Sequence, residues 1–163
     1  VKIIIAIILL LPIFSYAQVH HFNAYQTVIK NAHIGKEYFF DKSKKDDLDS
    51  LVVIYLGQIV TTRGKVLRFL TSRWYWGFAP KATSRIVVFN EKNQYLGDYY
   101  LTMTYDVPDK IEDKSLVFIN DKGSDCQAGL VTRVSFKNGI PKQFFLRCKG
   151  EMGDIYSFEQ NLF

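Results

Sequence analysis

Apolar residues recur along this chain in two rhythms. Over residues 22–34 they fall at Phe22, Tyr25, Val28, Ile29 and Ala32, close to the 3.6-residue repeat of one helical face, with Gly35 placed where a residue follows a helix end. This predicts one amphipathic helix. Residues 42–50 are charged and read as a solvated loop. In residues 51–60, Leu51, Val52, Tyr55 and Leu56 also fit a helical face, but Val52-Val53-Ile54 is a β-branched run that crowds a helix, so a strand is expected.

From there the rhythm shortens to two. Residues 61–64 read as a turn and 65–78 as a long or kinked strand. Residues 86–89 and 95–105 form a predicted hairpin about the turn cluster Asn90-Glu91-Lys92-Asn93-Gln94. Residues 106–114, with Pro108, read as a polar loop, 116–119 as a short buried strand and 154–158 as a last strand.

A further hairpin is expected from the alternation of Leu130, Thr132, Val134 and Phe136 against Phe144, Leu146 and Cys148. A two-residue turn at Asn138-Gly139 would send the two apolar faces to opposite sides of the sheet. A three-residue loop over 138–140 instead pairs Val134 with Phe144 and Leu130 with Cys148. Strands joined by short turns without helical crossovers imply a meander. The expected fold class is therefore mainly antiparallel β, a curved sheet or small barrel with one N-terminal α-helix.

The first residues alter the domain picture. Lys2, an apolar run over 3–14 and Ser15-Tyr16-Ala17 have the order of a secretory signal peptide, and the run is shorter than the roughly 20 residues a membrane span needs. We read residues 1–17 as a signal peptide and 18–163 as one strand-rich domain that works in the periplasm or outside the cell. In that oxidising setting Cys126 and Cys148 are expected to pair. An extended strand would hold Cys126 roughly 13 Å beyond a Leu130–Cys148 pair, so the bridge requires a bend near Ala128-Gly129.

Catalytic chemistry has few candidates. His20, His21 and His33 are the only histidines, Ser72 and Ser84 lack a Gly-x-Ser-x-Gly elbow, and the cysteines are spoken for. No catalytic residue, metal ligand or cofactor is assigned. A free Gln18-Val19-His20 terminus has the donors for square-planar Cu(II) or Ni(II), yet a frayed polar terminus is the simpler reading.

Charge distribution is the strongest deviation. Residues 51–90 contain no acid but carry Arg63, Lys65, Arg68, Arg73, Lys81 and Arg85, whereas 91–125 hold eight acids against four bases. Within the basic stretch, Arg73-Trp74-Tyr75-Trp76-Gly77-Phe78 mixes cations with aromatics of the kind enriched at protein interfaces and at stacking platforms for sugars or bases. Arg73, Trp74 and Trp76, supported by Arg68, Lys81 and Arg85, are the expected binding residues. Strand alternation places Trp74 and Trp76 on one face and Arg73 on the other unless a bulge intervenes. With a formal net charge of only +5 and its acids in the other half, the chain suits nucleic acid poorly.

An exported, non-enzymatic binding or inhibitory module, of the immunity type, for an acidic protein or anionic glycan is the leading expectation. A small barrel with Trp74, Trp76 and Tyr99 lining an apolar or sugar site is the first alternative. A carboxylate-dependent hydrolase, needing two acids that converge in a cleft, is the second.

Overall fold

The computed structural model describes residues 16–120 and 125–160, with side chains from His21 onward. Helix α1 (Tyr16–Asn31) precedes β1 (Glu37–Asp41), β2 (Leu48–Val60), β3 (Val66–Gly77), β4 (Lys81–Asn90) and β5 (Tyr95–Leu101). Then follow β6 (Lys110–Glu112), β7 (Ser115–Ile119), β8 (Val131–Ser135), β9 (Gln143–Lys149) and β10 (Met152–Glu159). Of the expected signal peptide, residues 1–15 lie outside the described residues; Tyr16 and Ala17 open α1.

The fold is mainly antiparallel β. A seven-stranded sheet runs β1-β2-β3-β4-β5-β10-β9, a three-stranded sheet runs β6-β7-β8, and neither closes. The barrel form of the expectation is thus replaced by two open sheets.

Alternation along the strands builds three layers. Ala24, Tyr25, Val28 and Ile29 of α1 pack on Leu51, Val53, Leu70, Val87 and Phe89 of the large sheet. Its other face sends Leu67, Phe69, Ile86, Val88, Tyr99 and Leu101 against Leu116, Phe118 and Val134 of the small sheet. Because both faces of β4 are covered, Ile86-Val87-Val88-Phe89 is an unbroken apolar run, every member fully buried. In β2, Tyr55 and Gly57 oppose the consecutive residues Leu70 and Phe69, which leaves Leu56 as a bulge. The extra residue reverses the pleat, so Tyr55 faces the helix while Ile59 faces the small sheet.

Several boundaries differ from the pattern. The helix starts at Tyr16 instead of 22, since Ala17 and Gln18 do nothing to stop one. It ends at Asn31, and the left-handed residue after it is Ala32, at φ 49°, instead of Gly35. Gly35 donates its amide to the Tyr55 carbonyl at 2.9 Å, fastening the chain to β2. Residues 37–41 form an edge strand, half-buried at Tyr38 and Phe40, that the charged stretch after it obscured. Strand β5 stops at Leu101, short of 105, and β6 lies within the expected polar loop.

The largest correction concerns the hairpin over 130–148. Strand β8 pairs with β7, Leu116 opposite Val134, whereas β9 pairs with β10, Tyr156 opposite Phe144. Val134 and Phe144 do share one core, but they enter it from different layers. Alternation reports which side is apolar and cannot tell a neighbour in the sheet from a partner across the core. Pro141, which has no amide to give a ladder, stands where the returning strand would begin.

Cys126 and Cys148 form a disulfide with Cα atoms 4.5 Å apart. The chain bends at Ala128-Gly129, where Gly129 has φ +76° and Leu130 donates to the Gln127 carbonyl at 3.3 Å. Gln127, not Leu130, meets Cys148, donating to its carbonyl at 2.8 Å.

Candidate functional site

Strands β3 and β4 pair so that Ser72 lies opposite Arg85, Trp74 opposite Thr83 and Trp76 opposite Lys81. Even positions of β3 and odd positions of β4 therefore share the helix-side face. Helix α1 runs antiparallel to β3 over it. The Arg68 Nη2 donates to the Ile29 carbonyl at 3.2 Å, the Tyr25 and Ser72 hydroxyls meet at 3.0 Å, and the His21 ring lies edge-on to Trp74 at 4.6 Å.

Beyond His21 the two indoles form a platform. Trp74 and Trp76 stack at 5.3 Å between ring centres with 24° between planes. Each ring is fixed by its N–H: Trp74 Nε1 donates to Asp49 at 2.9 Å and Trp76 Nε1 to Thr83 at 3.2 Å. The Lys81 ammonium sits 5.0 Å from the Trp76 ring centre. Both indoles are half-buried, unlike the sealed Phe69 and Phe89. Gly77, at φ +86°, ends β3, and Phe78 after it is 84% exposed at the hairpin tip. A groove beside the tip joins Phe78 and Pro80 to Lys44, Lys45, Asp46 and Asp47 of the β1–β2 loop.

The other expected site residues have structural partners. Arg68 holds the end of α1, donates to Asn93 and to the Tyr55 hydroxyl, and lies over the Tyr55 ring. Arg85 is paired at 2.6 Å with Asp98, a buried carboxylate that also accepts from the Tyr95 hydroxyl at 2.6 Å. Burial pulls the Arg85 pKa down, but the charge and hydrogen bond of Asp98 outweigh it and the net shift is upward. Burial also raises the Tyr95 phenol, helped by its bond to Asp98, and pushes Tyr25 up to about 12. Arg73 faces the small sheet and its Nε donates to the Thr104 carbonyl at 3.0 Å. Five of the six residues thus share a face, two of the five work inside the fold, and Arg73 is on the opposite side.

Tyr99 belongs to the opposite face from the tryptophans, packed among Phe136, Phe144 and Phe158, so the three line no common interior. Phe78 lies in the aromatic segment singled out from the sequence but is not among the expected binding residues, and Lys44 and Lys45 fall in the stretch expected to be a solvated loop. The signal for Phe78 was an aromatic between a strand-ending glycine and Ala79-Pro80; that for the lysines existed only in the pairing of Leu48 with Gly77, which brings the two loops together.

Charged groups also line clefts elsewhere among the described residues. At the far end of β3, Arg63, Lys65 and Lys92 edge one of about 460 Å³. Beside the disulfide, Asp106, Asp125 and Asp154 line a smaller one with Tyr105. Burial raises the Asp106 pKa, against a hydrogen bond from Tyr156 and with help from Asp154. No group of three or more His, Cys, Asp or Glu able to hold a metal occurs among the described residues. No family model, curated protein or solved structure matches the chain.

Proposed function

We propose that this is an exported, non-enzymatic binding or inhibitory module that docks an acidic protein on the β3–β4 hairpin tip. The observation that carries the reading is the indole pair, held by two N–H bonds and half open to solvent, next to the protruding Phe78. Aromatic anchors whose geometry is fixed before docking lose little entropy on binding, and such residues dominate interface energetics. Lys81 at the Trp76 ring and Lys44 and Lys45 beside Phe78 are offset by Asp46, Asp47 and Asp49, so the cations offer individual contacts to an acidic rim around an apolar pocket and the aromatic surface carries the docking. A protruding phenyl group buries more apolar surface in a protein pocket than it can against the hydrated rings of a polyanionic glycan, which favours the protein among the two partner classes.

Capture from the native envelope fraction by the tagged mature chain, followed by mass spectrometry and affinity measurement, tests this. Phe78→Ala and Trp76→Ala are each expected to weaken capture about 30-fold, the range of an interface hot spot. Lys81→Glu should slow association and reduce its salt dependence. Arg68→Ala should lower the melting temperature and leave affinity unchanged, because it acts on the end of α1. Undiminished capture by Phe78→Ala and Trp76→Ala sinks the proposal.

A further inference from the structure

Arg68, Arg73 and Arg85 all rise from β3 and β4, and two of them are satisfied by the fold. Arg73 differs. Its Nε is bonded to the Thr104 carbonyl, but among the described residues its terminal amino groups make no hydrogen bond and it enters no ion pair. The side chain is only half exposed. A guanidinium has five donors and loses hydration on burial, so a single bond to a neutral carbonyl leaves it poorly compensated.

It borders a cleft of about 310 Å³ between the large sheet and the small one. Thr71 and Tyr105 add hydroxyl groups to the lining, while Leu56, Val107 and Ile119 supply an apolar wall. Asp109 also reaches the rim, but its Oδ2 is held by the Ile119 amide at 2.8 Å and is not paired with Arg73. The lining is as polar as it is apolar, and a cleft of this size with a polar side and an apolar wall can seat a small amphipathic molecule. The fixed fork of a guanidinium matches the two oxygens of a carboxylate.

We infer that this cleft binds a small apolar carboxylic acid, with Arg73 gripping the carboxylate and the hydrocarbon lying on Leu56, Val107 and Ile119. The site is on the opposite face from Trp76 and independent of the hairpin tip.

Calorimetric titration with octanoate tests it, with acetate and octanol as probes lacking the tail and the charge. Octanoate should bind saturably, and both comparators at least about ten-fold more weakly. Arg73→Met should reduce octanoate affinity by about ten-fold or more while leaving octanol unaffected. Ile119→Trp, at a position 43% exposed, fills the cleft without touching Arg73 and should also abolish octanoate binding. Trp76→Ala should leave it intact, which separates this result from that for the hairpin tip. Absence of saturable octanoate binding, or wild-type affinity in Arg73→Met or Ile119→Trp, overturns the inference.

Discussion

Asp106 shows how a single buried carboxyl shapes the behaviour of this molecule with pH. It is 8% exposed, and burial raises its pKa above the ordinary 3.8 despite the Tyr156 hydroxyl that donates to it. A carboxyl that binds its proton more tightly when folded contributes stability below 3.8, and that contribution is lost as pH rises through the raised value. Asp106→Asn removes the loss while keeping an acceptor for Tyr156. Its stability relative to wild type should therefore increase between about pH 3 and about pH 7, as read from urea midpoints. A relative decrease over that window would mean that the folded-state pKa is lowered instead. The basic residues follow a similar logic of partners: Arg68 and Arg85 are spent on α1 and Asp98, and sequence showed their charge but not their engagement.

Among the elements, β10 decides how the large sheet continues past its meander. It joins β5 through Phe158 opposite Tyr99 and Glu159 opposite Asp98, and the approach is close at Gly97. Gly97 has φ +147°, and a Cβ there would lie 2.5 Å from the Phe158 ring and closer still to the Glu159 carbonyl oxygen. Gly97→Ala should cost about 2 kcal/mol or more, through both backbone strain and overpacking, and loosen β10 from β5. Denaturant unfolding measures the first effect, and faster amide exchange at Glu159 reports the second, since the Phe158 amide is held by the Lys142 carbonyl at 2.8 Å. An unchanged midpoint would mean that the two strands part without consequence. Strand types were readable from alternation and β-branching, whereas this junction was not, because it joins residues about 60 positions apart that share no local pattern.

For the whole molecule, the disulfide is the covalent tie between layers. Cys126 lies in the connection from β7 to β8 of the small sheet, and Cys148 is in β9 of the large one. Closing 22 residues should stabilise the fold by roughly 3 kcal/mol on the chain-entropy view. Replacing both cysteines by serine is expected to lower the urea midpoint accordingly, with the slope little changed. A loss well under 1 kcal/mol would show that the apolar core beneath β7 and β8 holds the layers together unaided.

The sequence by itself determined the antiparallel strand-rich class, the single N-terminal helix, most strand locations and the cysteine pair. These follow from local periodicity, as at Leu67 and Phe69, or from there being only two thiols. The sequence also placed Trp74 and Trp76 on one face and Arg73 on the other, since a pleat of period two requires it. Only the tertiary structure decided that β8 and β9 join different sheets, that the sheets stay open, and which cations are left free to act. Those outcomes depend on long-range pairing and on partners such as Ile29, Asp98 and Thr104, whose proximity is set by the packed layers and not by their neighbours in the chain.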